Sequence, residues 1–330
     1  MDLPDDLGAV RAVLLGSKLR VAGSVVLALS VVFGAAVGLG VLGVPGVAAV
    51  DNEFGAVDES TTTIETDLVI SNPNPVGVTL GDVRIDYGVS MNDVRVANGS
   101  REGVSLQPGN STTELTTRMD NQQIPPWFAS HVRNGERSRL VVDADVRSER
   151  LGRSKQFTVE RSIETDLIGQ FDSNETRPVA VEDSAITATP LVENPVLYVN
   201  ETSADWGTVS RERTPIDVEF VAYNPQAFPL TVSEIDYEIT MNDVLVGEGT
   251  SETNAAILPE RTERIETTTA ITNDNLDEWW VSHLNNDQTT QLEIRFYATV
   301  EIEGQEFRVP VRALDHEETI ETNIFEGEGN

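Results

Sequence analysis

One stretch of sequence that occurs twice constrains this chain more than any other feature. IDYGVSMNDV, Ile85–Val94, returns as IDYEITMNDV, Ile235–Val244, with seven of ten positions identical and a separation of 150 residues. The match extends in both directions. Upstream, IETDLVISNPNP (Ile64–Pro75) answers IDVEFVAYNPQA (Ile216–Ala227), so that Asn72-Pro73 falls on Asn224-Pro225, and Phe54-Gly55 falls on Trp206-Gly207. Downstream, Trp127-Phe128-Ala129-Ser130-His131 answers Trp279-Trp280-Val281-Ser282-His283, and Phe157-Thr158-Val159 answers Phe307-Arg308-Val309. A period of this length is too long for a solenoid repeat and fits a duplicated domain. The chain reads as two copies of one module, and 330 residues are enough to give each its own core.

Charge narrows the partners. The net charge is -32, and of 23 basic residues only Lys18 and Lys155 are lysine. Such a carboxylate-rich, lysine-poor surface repels itself in dilute buffer. It is tolerable where salt shortens the screening length to about 3 Å near 1 M. This is the pattern of proteins from extreme halophiles. It argues against nucleic acid as a partner, because phosphate binding needs clustered Lys and Arg. The absence of cysteine excludes disulfides, thiolate metal sites and cysteine nucleophiles.

Residues 1–20 form a short polar tail, expected in the cytoplasm. Val21–Val50 carries no charge, and 21–45 reads as a transmembrane helix. As a helix, Val21–Val44 would reach about 36 Å, enough to cross the hydrocarbon core. Pro45-Gly46 ends it. Arg11, Lys18 and Arg20 precede the span and Asp51, Glu53, Asp58 and Glu59 follow it, which puts the N-terminus inside the cell and both modules outside. The rival reading is a cleaved signal peptide, with Ala48-Ala49 as a cleavage-like site. Its apolar region is normally only about 7–15 residues. Gly34 and Gly38 form a G-x-x-x-G pair through which two spans could pack into a homo-oligomer.

Beyond the span the chain alternates with a period of two. Ile64, Thr66, Leu68 and Ile70 form one face of a half-buried strand, and Ile216, Val218, Phe220 and Ala222 keep the phase. Pro73 and Pro225, lacking an N–H, stop these strands. Val83 to Met91 and Ile235 to Met241 alternate in the same way. Asn92-Asp93 and Asn242-Asp243 then suit tight turns, since both residue types tolerate left-handed backbone. Leu140 to Val146 and Leu292 to Val300 are later strands. One helix interrupts each set, with Ile124, Trp127, Phe128, His131 and Val132 on one face, matched by Leu276, Trp279, Trp280, His283 and Leu284. Pro125-Pro126 belong in the first turn of the first helix, Asn134-Gly135 end it, and Asp274 is expected to cap the second. Six or seven short strands and one helix per module point to a two-sheet sandwich rather than a barrel or a parallel α/β fold. The expected domains are 46–168 and 191–326, joined by a polar linker at 169–190 and followed by a tail at 327–330.

These residues resemble a known family: the atypical, folded late-embryogenesis-abundant proteins with the water-stress-and-hypersensitive-response domain. The shared marks are an Asn-Pro closing an early strand (Asn72-Pro73, Asn224-Pro225) and a Tyr on the next (Tyr87, Tyr237). An Asn-containing turn (Asn92, Asn242) and a Gly (Gly99, Gly249) follow. The resemblance covers both modules. It implies mainly β architecture, two tandem immunoglobulin/fibronectin-like β-sandwiches each with one short helix, and a non-enzymatic role in desiccation or osmotic stress. Plant members carry one such domain, and the Trp-x-x-x-His helix (Trp127, His131; Trp279, His283) marks a tandem, halophilic archaeal type.

No motif supports an enzyme or a cofactor. His131 and His283 occupy equivalent positions on an apolar helix face, with no second His at i+4, so they read as packed structural histidines rather than metal ligands. Ser130-His131 and Ser282-His283 are not dyads, because adjacent residues on a helix point about 100° apart. No D-x-D-x-D-G calcium loop occurs, and scattered acids read as solvated surface. The tryptophan helices read as core rather than as a partner platform. Asn98, Asn110, Asn174 and Asn200 begin N-x-S/T sequons, all on the expected outer side, where glycosylation would be placed. Two functions remain: a membrane-tethered stress protectant, or a structural or adhesive element of the cell envelope that binds a protein or glycan.

Overall fold

A computed structural model describes residues 46–148, 152–180, 194–302 and 304–321. They form two compact units, the first ending at Thr165 and the second running from Asp166 to Glu321. Among the described residues no helix is long and apolar enough to cross a membrane; the span expected at 21–45 and the tail at 327–330 lie outside them.

The first unit contains β1 (Gly46–Val57), β2 (Thr61–Asn72), β3 (Val78–Met91), β4 (Val94–Leu106), β5 (Gly109–Asp120), α1 (Ile124–Arg133), β6 (Arg137–Ser148) and β7 (Arg153–Glu164). All pairings are antiparallel, in the order β1-β2-β5-β4-β3-β6-β7. The join between β4 and β5 is only three residue pairs long, Ala97 with Met119, Asn98 with Arg118 and Gly99 with Thr117. On either side of this seam the sheet folds over one core. Leu68 and Ile70 from β2 and Leu115 from β5 meet Ile85 and Tyr87 from β3, Val104 and Leu106 from β4, and Ala144 and Val146 from β6. The arrangement is sandwich-like. Burying side chains such as Ile85 and Leu106, both 0 % exposed, is worth about 1.5–3 kcal/mol each and drives the closure.

The second unit repeats this with β9 (Leu197–Trp206), β10 (Arg213–Tyr223), β11 (Leu230–Met241), β12 (Val244–Ile257), β13 (Thr262–Thr272), α2 (Leu276–Asn285), β14 (Thr289–Ile302) and β15 (Gln305–Pro310). With β8 (Arg177–Val179) added, its strands form two sheets, β13-β10-β9-β8 and β12-β11-β14-β15, with β16 (His316–Glu321) also on β14. Strand β8 (Arg177–Val179) comes from the stretch read as a linker. There the chain makes a 3-10 turn at Ile168–Phe171 and then pairs Val179 with Leu197. The described part of that stretch therefore belongs to the second unit, because its backbone groups are used by β9 rather than by water.

Local expectations hold at the turns. Asn92 and Asp93 have φ of 48° and 67°, and Asn242 and Asp243 have 49° and 63°. Two consecutive left-handed residues form the hairpin turn whose twist matches the strands. Pro125-Pro126 sit in the first turn of α1; Asn134 closes it, and Gly135 at φ 67° donates its N–H to the Val132 carbonyl. Asp274 does not cap α2. It lies in a 3-10 turn, Asn273–Asn275, that starts the helical backbone early, and Asn275 takes the cap position without a side-chain capping bond. The ring burial also differs from expectation: Trp280, at 7 % exposed, is the deeply buried ring of α2, and Trp279 is half-buried.

Candidate functional site

Each helix packs its histidine against a hydroxyl from the following strand. In the first unit, Trp127 Nε1–H donates to Ser138 Oγ at 2.9 Å, and the same oxygen lies 2.8 Å from His131 Nδ1. The other ring nitrogen, Nε2, lies 2.8 Å from Thr165 Oγ1, which donates to Glu136 Oε2 at 2.8 Å. These bonds close into a consistent chain for a neutral imidazole protonated at Nε2. Ser138 accepts from Trp127 and donates to Nδ1, while Thr165 accepts from Nε2–H and donates to the carboxylate. In the second unit Thr290 takes the place of Ser138, 2.9 Å from Trp279 Nε1 and 2.8 Å from His283 Nδ1. The Trp and His rings lie 5.8 and 5.6 Å apart in the two units. Burial pushes His283 down to about 4. Burial also lowers His131, and the Glu136 carboxylate opposes that shift. Ser130 and Ser282 instead donate to the Trp127 and Trp279 carbonyls.

The Asn-Pro signature is a side-chain turn. Asn72 Oδ1 accepts the Asn74 N–H at 3.1 Å, and Nδ2 donates to the Val76 carbonyl at 3.1 Å. Asn224 repeats this with the Gln226 N–H at 2.9 Å and the Phe228 carbonyl at 2.9 Å, and also donates to the Ile257 carbonyl. Both amides are buried, and an aspartate could not supply the donated bonds. Pro73 and Pro225 sit between, where no N–H is needed.

The Tyr and Gly signatures are one feature seen from two strands. Tyr87 stands directly across from Gly99 and Tyr237 across from Gly249. A Cβ on Gly99 would lie 2.2 Å from Tyr87 Oη, and one on Gly249 2.8 Å from Tyr237 Oη. The missing side chains let each ring lie flat across the neighbouring strand. Tyr87 Oη then reaches Thr117 Oγ1 at 2.7 Å, and Tyr237 Oη accepts from Arg213.

A further duplicated pair escaped the sequence reading. Asn121 and Asn273, both 0 % exposed, accept from Thr62 and Thr214 Oγ1 at 2.8 Å. They donate to the Asp58 and Arg211 carbonyls at 2.8 and 3.0 Å. The signal was available: aligning the two copies superposes both the threonines and the asparagines.

The signature residues thus do not converge on one site. Asn72 and Asn224 lie at one end of their units. Asn92, Trp127 and His131, like Asn242, Trp279 and His283, gather at the other, where Asn92 and Asn242 tie the turn to β6 and β14. What the exposed faces share is carboxylate and threonine. Asp51, Asp67 and Glu114 stand directly opposite one another across β1, β2 and β5, with Glu53, Glu65 and Thr116 beside them. In the second unit the corresponding rows are Ser203, Glu219 and Glu266, and beside them Asp205, Asp217 and Thr268. Among the described residues no group of three or more His, Asp and Glu side chains is placed to hold a metal ion. Of the sequons, Asn98, Asn110 and Asn174 are exposed, Asn98 and Asn110 within strands. Asn200 is half-buried, and the hydroxyl of its Thr202 donates to the Phe171 carbonyl.

Similarity to known proteins bears on identity. An uncharacterized protein of Methanocaldococcus jannaschii is 28% identical over 87 residues, which is 26% of this chain and 50% of that protein. The chain thus spans half the length of the curated relative it matches. A crystal structure of a protein from Archaeoglobus fulgidus has 26% identity and a TM-score of 0.35, covering 38% of this chain and 98% of that one. A solution structure from Arabidopsis thaliana has 13% identity and a TM-score of 0.30, covering 36% of this chain and 77% of that one. The Late embryogenesis abundant protein family matches twice, over residues 67–163 and 219–313, once in each unit. By those two matches, the chain belongs to the late embryogenesis abundant protein family.

Proposed function

We propose that this chain is a membrane-anchored, non-enzymatic protein of the water-stress-and-hypersensitive-response type, which protects the cell envelope or neighbouring proteins when water activity falls. The observation that carries the reading is the chemistry of the outer sheet faces. Rows such as Asp51–Asp67–Glu114 and Asp205–Asp217–Thr268 hold water and ions and offer little apolar area to desolvate. The aromatic residues that would anchor a specific partner are turned inward, as with Tyr87, Tyr237, Trp127 and Trp280. The family supports a stress-related role. The uncharged run at 21–45 and its flanking charges support a single anchor with both units outside, in a halophilic setting.

The test is direct. Purified protein, dried with a desiccation-sensitive enzyme, should preserve more of its activity than an equally acidic, unrelated control. Equal protection by that control sinks the specific claim. Protease added to intact cells should digest the region beyond Asp51, and full protection of that region would overturn the topology.

One observation favours the second reading, binding of an envelope protein or glycan. An open hollow lies on the outer face of the first unit, lined by Asp86, Arg95, Asp143, Asp145, Gln156 and Thr158, with the Arg95 guanidinium lying over Gly88 where a side chain would stand. The second unit has Glu238 in place of Gly88, and Arg308 lies over the Tyr297 ring at 4.0 Å. Saturable binding of one glycan or envelope protein, lost in Asp143→Ala, would move the function to that class.

A further inference from the structure

We propose that one end of the first unit is a membrane-contacting tip, formed by the turns Pro73–Gly77 and Gln107–Gly109 with Val76 as its apolar contact. The inference rests on the anchored reading above and adds the surface by which the folded unit meets lipid. Register identifies the end: Gly46, the first residue of β1, pairs with Ser71, and Asn72 pairs with Gly109. The start of β1 and both turns therefore lie side by side. Adjacent strands are about 4.8 Å apart, and two residues reach at most about 7 Å. If the apolar run ends at Val44, the turns have no stalk to lift them from the membrane surface. The described end of β6 stops short of this tip, since Ser148 pairs with Val83 rather than with the start of β3.

Charge distinguishes this end from the rest of the unit. Gly46–Val50, Ser71–Gly77 and Ser105–Ser111 contain no ionisable side chain, in a chain whose residues are 24% charged. The opposite end carries Asp58, Glu59, Asp93, Asp120, Arg133, Glu136 and Arg137. An acidic tip would be repelled by anionic headgroups and would lose hydration against them; an uncharged one is not. Val76 is 61 % exposed, the largest value for a large hydrophobic among the described residues. It is presented rigidly, because Asn72 holds its carbonyl and Gly77 packs close to the Leu106 carbonyl. The matching end of the second unit also exposes an apolar residue, Leu258 at 58 %, but Glu260 and Arg261 stand beside it. That end is expected to stay in water.

The absence of cysteine makes the test clean. Full-length chains carrying Val76→Cys, Gln107→Cys, Asn134→Cys or Leu258→Cys are labelled with an environment-sensitive fluorophore. They are then reconstituted in vesicles of phosphatidylcholine and phosphatidylglycerol in about 2 M KCl, which screens long-range repulsion. Lipid-borne quenchers should act several-fold more strongly at 76 and 107 than at 134 and 258. Adding Val76→Asp should lower quenching at 107 while leaving circular dichroism unchanged. Uniformly weak quenching in a chain that floats with the vesicles overturns the tip and leaves the anchor standing. Failure to float overturns the anchored reading and the tip with it.

Discussion

His131 and His283 occupy the same place in the two units, with the same tryptophan beside them and the same kind of hydroxyl at Nδ1. Their surroundings differ in charge. The first unit has the buried carboxylate of Glu136 near its histidine, and the second has Gln288 at the corresponding turn, with φ of 57° and 59°. The copies have kept the backbone and changed the charge. A second difference lies at the seam. β4 and β5 are joined by backbone pairs, whereas β12 and β13 are not, although both copies fold around equivalent side chains. Geometry held by packing has survived duplication, while charges and seam bonds have drifted.

The largest expected effect tests whether the rings are equivalent. Trp127→Ala should cost the first unit about 3–5 kcal/mol, and Trp280→Ala should cost the second a similar amount. Trp279→Ala, losing a half-buried ring, should cost about half as much. Hydrogen exchange read peptide by peptide separates the two units. Equal losses at Trp279 and Trp280 would break the distinction drawn from burial.

Acid comes next. A histidine held neutral in the fold takes up a proton more readily once unfolded, so proton binding favours the unfolded chain. For His283 the stabilisation is complete above about pH 6.5 and is lost as pH falls through about 4. Over that range it amounts to about 3 kcal/mol at most. His131 is lowered against the pull of Glu136, so the first unit should lose less. Imidazole titration followed by NMR checks both. Gln288→Glu should raise His283, and Glu136→Gln should lower His131 further; no change in either would remove Glu136 as the cause.

Salt gives the smallest contrast. Like charges directly across strands cost about 0.2–1 kcal/mol per pair, and concentrated salt screens part of this. The unfolding midpoint of the chain should rise by several degrees between about 0.1 M and 2 M KCl. The first unit should gain more. It sets Asp51 against Asp67, Asp67 against Glu114 and Glu53 against Glu65, whereas the second has Ser203 opposite Glu219, keeps only Asp205–Asp217 and Glu219–Glu266 in these rows, and pairs Glu219 with Arg264. An unchanged midpoint would contradict the halophilic reading, and equal gains would show that the rows do not set the response.

Features that depend on neighbours in the chain were legible before the fold was known. Duplication set the number of units, and the period of two set the inward phase of Ile216, Val218, Phe220 and Ala222, all of them buried. Asn-Asp pairs marked turns because few residues accept left-handed backbone, and prolines marked strand ends because they lack a donor. Strands β5 and β13 were not legible. Their inward faces include Thr113, Thr117, Thr267 and Thr269, buried at 1–4 % exposure, so the apolar alternation is masked. Which ring of Trp279 and Trp280 goes deepest was not legible either, since both lie within one apolar helix face. The hydrogen-bond partners were settled by the closing of the sheets. Asn121 and Thr62 are 59 residues apart, His131 and Thr165 are 34, and Tyr87 and Thr117 are 30. A buried polar group must find a hydrogen bond, but where it finds one is fixed by how the sheets close, and no local spacing records that.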